Sequence, residues 1–164
     1  MRGALPSGLA AVAWVFLAWS IASSLWYYPH SLSYFNEVVG GPEHGHEHLL
    51  DSSISWGQDL LFLKKWYDEH PEARPLYLAT YGLVDPSAVG VEFALPAPLP
   101  KDSGQPGPGW YAIDVNYLRG SRRPAPNGKG SQKALWRGSA DLQYFNALEP
   151  VARIGYSSLV YQIP

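Results

Sequence analysis

The chain has 164 residues, a net charge of −2 and no cysteine. The balanced charge gives no basis for nucleic-acid binding, and the lack of cysteine excludes disulfides and thiolate metal sites without fixing a compartment. Its 15 prolines and 16 glycines predict long loops, while its 7 tryptophans and 11 tyrosines suit a membrane interface or a carbohydrate-facing surface.

From Gly3 to Tyr28 no residue is charged. Within this run Gly8 to Trp26 forms 19 apolar or small residues, which as a helix reach roughly 30 Å, the thickness of a bilayer's hydrocarbon core. Trp26, Tyr27 and Tyr28 stand where an interfacial aromatic belt belongs. Arg2 is the only cation before Lys64, so the positive-inside rule keeps the N-terminus in the cytoplasm and puts the remainder outside. Two competing readings exist. A signal peptide would be cleaved after Ala22, at Ser20-Ile21-Ala22; a buried helix of a soluble domain would need a polar face, which this run lacks.

Pro29 ends the span. Ser31 to Val39 reads as a short interfacial helix with Leu32, Phe35 and Val38 or Val39 on one side, and Gly40-Gly41-Pro42 turns the chain. His44, His46 and His48, beside Glu43 and Glu47, are candidate ligands for Zn²⁺ or Cu²⁺; in an extended segment their alternate spacing would aim all three one way, and a solvated loop is the plain alternative. Ser55-Trp56-Gly57-Gln58 fits a capping box, with Ser55 as N-cap and Gln58 reaching back. Trp56, Leu60, Leu63 and Tyr67 then recur at helical spacing as one buried stripe. The helix stops by His70, ahead of Pro71.

Leu76 to Tyr81 reads as a strand, and Asp85 caps a short helix with Pro86 at its first position. Pro96 to Gly109 holds five prolines and three glycines in 14 residues and must be a loop. Trp110 to Leu118 reads as a second strand, with Tyr111, Ile113, Val115 and Tyr117 on one face. Arg119 to Lys133 is a loop with five cations and no acid; Arg119, Arg122 and Arg123 are candidates for lipid-headgroup or phosphate contact. Ser139 caps a helix over Ala140 to Leu148, and Ile154 to Ile163 is a third strand. The expected fold is therefore α/β: one transmembrane helix (residues 1–28), an interfacial linker (29–50) and an α/β domain (51–164) of two or three layers around a three-stranded, at least partly parallel sheet.

Two blocks, YPHSLSYFNEVVGGPEHG and LLDSSISWGQDLLFLKKW, together with EPVARIGYS at Glu149 to Ser157, carry a family likeness. This sequence resembles the C-terminal extracytoplasmic region of bacterial polyprenyl-phosphate-sugar-dependent membrane glycosyltransferases, of the protein-mannosyltransferase-like clan, over about Trp26 to Ile163. It departs from the family pattern at Ser53, Ser55 and Tyr28, where Asn, Asp and His are usual, and the His-rich segment matches no family motif. The resemblance implies a single-pass protein of the bacterial cell membrane with its domain outside. Its implied partners are the membrane, a polytopic glycosyltransferase subunit, and a glycan or lipid-linked sugar; no cofactor is implied. The clan's chemistry uses acidic residues in a loop of a many-helix membrane domain that this chain does not contain, so no residue here is assigned a catalytic role and an accessory domain, inactive alone, is expected. The alternative is a non-enzymatic envelope module that binds a glycan or a partner.

The ligand-binding candidates are Tyr34, Asn36, Asp51, Trp56, Gln58 and Asp59. Trp56 can stack on a sugar while Gln58 and Asp59 bond its hydroxyls. Against this stand plain readings: Trp56 packs a helix onto the sheet, Asp59 serves the helix dipole, and Asp51 stabilises a turn.

Overall fold

The computed structural model describes residues 7–97, 104–121, 123–129, 132–133 and 140–164. The chain divides into two compact units, Met1–Ser31 and Leu32–Pro164. The first is built on α1 (Ser7–Trp26), whose apolar side chains, among them Trp14, Val15 and Phe16, are exposed. Its Gly8–Trp26 segment is long and apolar enough to cross a membrane, a property it shares with signal sequences.

The second unit is α/β. It opens with two 3-10 turns, Ser31–Ser33 and Glu37–Val39, followed by α2 (Gly41–His48) and a third 3-10 turn, Asp51–Ser53. Then come α3 (Leu60–Glu69), β1 (Leu76–Ala79), β2 (Phe93–Ala94), β3 (Gly109–Asp114) and α4 (Val115–Leu118). The chain ends with β4 (Ala125–Pro126), β5 (Gln132–Lys133), α5 (Ala140–Gln143), β6 (Ala152–Ile154) and β7 (Ser158–Ile163). The main sheet has five strands in the order β2-β1-β3-β7-β6. β1 pairs in parallel with β2 and β3, whereas β7 runs antiparallel to both β3 and β6. β4 and β5 make a separate two-stranded ribbon.

Strand alternation assigns the core to two layers. Leu76, Leu78, Ala112 and Val160 face α3, which contributes Leu60, Leu63 and Tyr67. Burying such side chains stabilises the fold by about 1.5–3 kcal/mol each. Tyr111, Ile113, Leu159 and Tyr161 face the other way, onto Leu142 and Phe145. That second layer is aromatic: Phe145 lies 5.1 Å from Tyr111 and 5.0 Å from Tyr161, centroid to centroid, and Tyr111 stacks on Tyr77 at 4.8 Å. Many of the tyrosines that the composition offered to a membrane or a glycan thus fill the interior.

Several sequence expectations are corrected. The sheet has five strands, because β2 is only two residues long and because the expected third strand is a hairpin. Gly155 takes a left-handed φ of 56°, which reverses the chain between β6 and β7 and needs no strain in a residue without Cβ. The expected strand over 110–118 stops at Asp114, whose Oδ1 accepts the Asn116 amide at 2.9 Å and caps α4. The helix after Ser55 begins only at Leu60, and Trp56 leaves the buried stripe, being 54% exposed. The helix expected over Ala140 to Leu148 is α5 followed by a 3-10 turn, Tyr144–Ala147; its expected cap, Ser139, lies outside the described residues. The stretch 31–39 is two 3-10 turns, with Val38 exposed.

Candidate functional site

β1 leads outward to β2, while β3 leads the opposite way, toward β7 and β6. In open α/β sheets such a reversal leaves a crevice beyond the carboxyl ends of the two neighbouring parallel strands. Here that place is framed by Tyr81 and Gly82, just after β1, and by Asp114 and Asn116 at the end of β3. A cavity of about 130 Å³ opens there, lined by Trp56, Tyr81, Gly82, Leu83, Arg123 and Pro124.

Asp51 stands at the edge of this crevice and is the hub of its hydrogen bonds. Its carboxylate accepts from the Tyr81 hydroxyl through Oδ1 and forms an ion pair with the Arg123 guanidinium through Oδ2, at 3.0 Å. Its backbone N–H donates to Asn116 Oδ1. Asp51 has a φ of 64°, the one left-handed non-glycine residue among those described; holding that conformation costs on the order of 1 kcal/mol or more and needs such surrounding bonds. Arg123 also lies over the Tyr81 ring, 5.6 Å from its centroid. Burial, reinforced by the bond to Asp51, pushes the Tyr81 hydroxyl up to about 12, so it stays a donor at neutral pH.

Behind the lining, Asp114 and Asn116 are 1% and 0% exposed. Asp114 Oδ2 and Asn116 Nδ2 find no aligned hydrogen-bond partner among the described residues, which for buried polar atoms is unusual. Burial pushes the Asp114 carboxyl up to about 7, although the Asn116 amide and the nearby Ser55 and Asn116 side chains pull it down. The Ser55 hydroxyl is also buried and donates to Tyr81 O at 3.5 Å.

The other expected ligand contacts are placed elsewhere. Gln58 is occupied inside the turn: Nε2 donates to Ser33 Oγ at 3.0 Å and Ile54 O at 2.9 Å, and Oε1 accepts the Trp56 amide at 2.8 Å. Asp59 is 3% exposed, and its Oδ2 accepts both the amide and the hydroxyl of Ser157, at 3.2 and 2.7 Å. Asn36 caps the turn Glu37–Val39 through the Val39 amide. Tyr34 is partly exposed, and neither it nor Asn36 lines the crevice.

The extended reading of residues 44–48 is corrected, because the segment is helical. A helix turns about 100° per residue, so His46 points away from His44 and His48. His44 pairs with Glu47 at 3.3 Å, and His48 Nε2 contacts Val39 O at 3.2 Å. Burial, then the charges of Arg119 and Arg153, lower the pKa of His46. Among the described residues no three His, Asp or Glu side chains gather as a metal site requires.

Arg119 reaches Glu47 at 3.8 Å and lines a separate, open hollow with His46, His48 and Leu49. Arg122 lies outside the described residues. The crevice therefore unites Asp51 and Trp56, expected as ligand contacts, with Arg123, expected as a lipid or phosphate contact, and adds Tyr81, Asp114 and Asn116, which sequence reasoning missed. The available signal was Tyr81-Gly82 after one apolar strand and Asp114-Val115-Asn116 inside another. Polar residues at strand ends point to a ligand crevice only once the two strands are known to be parallel neighbours.

Compared with models of known families, with curated proteins and with solved structures, the chain finds no match in any of the three.

Proposed function

We propose that this chain is a single-pass, membrane-anchored accessory domain of a lipid-linked-sugar-dependent glycosyltransferase of the bacterial cell envelope. Its α/β unit stands outside the membrane and meets the sugar-bearing ligand. One observation carries the reading. The block LLDSSISWGQDLL, soon after the apolar helix, supplies Trp56 to the lining of a crevice at the carboxyl ends of parallel strands, the place where open α/β sheets bind ligands. It also supplies Asp51 to the edge of that crevice, bonded to the lining residues Tyr81 and Arg123. An apolar helix of 19 residues immediately ahead of that unit supports the anchor.

A stand-alone envelope module that binds a glycan or partner is the second reading. The self-contained core of the unit Leu32–Pro164 favours it.

The test uses the full chain expressed in bacteria. The chain has no native cysteine, so a single Leu83→Cys substitution gives a unique label site at an exposed position. Labelling of intact cells by an impermeant maleimide, an unprocessed mass in the membrane fraction and co-purification with a polytopic glycosyltransferase are the expected results. Labelling without such a partner favours the stand-alone module. An unlabelled site, or release of a form cut after Ala22, removes the anchored reading.

A further inference from the structure

Taking the crevice as the ligand-facing part of the function proposed above, we infer that it holds a single neutral pyranose ring, recognised by its hydroxyls and its apolar face, in preference to a phosphorylated or carboxylated sugar.

The aromatic wall comes first. The Trp56 indole N–H donates to Ser52 O at 3.0 Å, so the ring plane is fixed and its polar edge is occupied. About half of the side chain remains exposed, and what it offers is a flat apolar face. Leu83, 78% exposed, adds a second apolar surface to the same cavity. A rigid aromatic face suits the C–H side of a sugar ring, which has little rotational freedom to lose.

The polar wall decides the charge of the ligand. Arg123 has five N–H donors and no acceptor, and an ionised Asp51 has acceptors only. Their ion pair, with the Tyr81 hydroxyl on the second carboxylate oxygen, leaves donors and acceptors unused side by side. The pair is close to neutral as a unit. A hydroxyl both donates and accepts, so it can bridge the two without displacing either. A phosphate or carboxylate would have to compete with Asp51 for the guanidinium while facing its charge, and an amine would meet the reverse conflict. Bonds to ionised partners are also the stronger kind, which suits a shallow site.

Size and rigidity agree with one ring. A volume of about 130 Å³ is well below the roughly 300–1,000 Å³ of pockets for drug-sized ligands. The cationic wall is held in place: Ser121 N donates to Asn116 O at 2.8 Å, Arg123 N to Ser121 Oγ at 3.4 Å, and the Tyr117 hydroxyl to Pro124 O at 3.4 Å. The opposite wall is equally tight, since a Cβ on Gly82 would come within 3.1 Å of Gly57 Cα.

The experiment is saturation-transfer NMR on the full chain in nanodiscs, with methyl hexopyranosides, hexose 1-phosphates and hexuronic acids as the probes. Neutral hexosides are expected to show transfer with a Kd in the millimolar range, where a small single-ring site falls. Trp56→Ala and Arg123→Ala should each weaken it at least tenfold, while Trp56→Phe, which keeps an aromatic face, should retain most of it. Matching unfolding midpoints establish that the variants are folded. No transfer from any neutral hexoside, equal transfer in all variants, or a preference for the anionic sugars would each overturn the inference. Sugar binding in a chain that recruits no glycosyltransferase would leave this inference standing and remove the accessory role; recruitment without sugar binding would do the opposite.

Discussion

Asp59 and Asp114 are both buried aspartates at the ends of core elements, yet they live in opposite surroundings. Asp59, just before α3, has its Oδ2 bonded twice by Ser157 and packs against Gly155 of the β6–β7 turn. Asp114, at the end of β3, keeps one oxygen without an aligned partner. Its neighbour in the crevice, Asp51, is half exposed and faces a solvent-accessible arginine. The turn around Asp59 is closed and satisfied, whereas the neighbouring crevice holds spare polar capacity beside an open cavity. A carboxylate that completes a turn secures the fold; a half-exposed one beside a cavity, as Asp51 is, can meet a ligand.

The comparison can be broken most forcefully at Gly155. A Cβ there would land on the Asp59 carboxylate, and φ is already left-handed. Gly155→Ala should therefore cost about 3 kcal/mol or more in chemical unfolding. Asp59→Ala, which strands the Ser157 donors, should cost about 2–4 kcal/mol. A loss below about 1 kcal/mol in both would show that this turn is no fastening.

The next effect is a pH dependence at the crevice. Asp114 is raised from 3.8 to about 7, so between these values the folded chain holds a proton that the unfolded chain has released. Stability is then fully present below the lower value and declines as pH rises through the upper one. With each pKa unit worth about 1.4 kcal/mol, the decline is on the order of 4 kcal/mol. Asp114→Asn should abolish that slope in unfolding midpoints measured across this range. An unchanged slope would assign the titration elsewhere.

A smaller loss, about 1–3 kcal/mol, is expected for Gly45→Ala, whose Cβ would strike the Phe35 ring and disturb how α2 packs. Thermal unfolding measures it. Smallest of all is Arg123→Ala: an exposed ion pair is worth about 0–1 kcal/mol, so its unfolding midpoint should barely move. A large shift there would make Arg123 a structural residue and erase the contrast between the two aspartate surroundings.

Much of the layout was legible from the chain alone. The apolar run fixed α1, and the spacing of Leu60, Leu63 and Tyr67 marked the buried stripe of α3, because a helix buries one face at a period that sequence shows directly. Pro71 marked where α3 stops, and Asp85-Pro86 the start of a short turn of helix. Trp56 was placed in the stripe because it has the right spacing. It lies outside because Gln58 and Ser55 bond within the 54–58 turn and delay the helix to Leu60.

Local pattern determined α1, α3 and β1, since backbone preference and side-chain periodicity act over a few residues. Only the tertiary structure decided that β1 and β3 are parallel neighbours leading in opposite directions, and therefore that Asp51, Trp56, Tyr81, Asp114 and Arg123 share one crevice. Hydrogen bonds between residues up to 65 positions apart set that arrangement. No periodicity along the chain encodes which strand edges will meet.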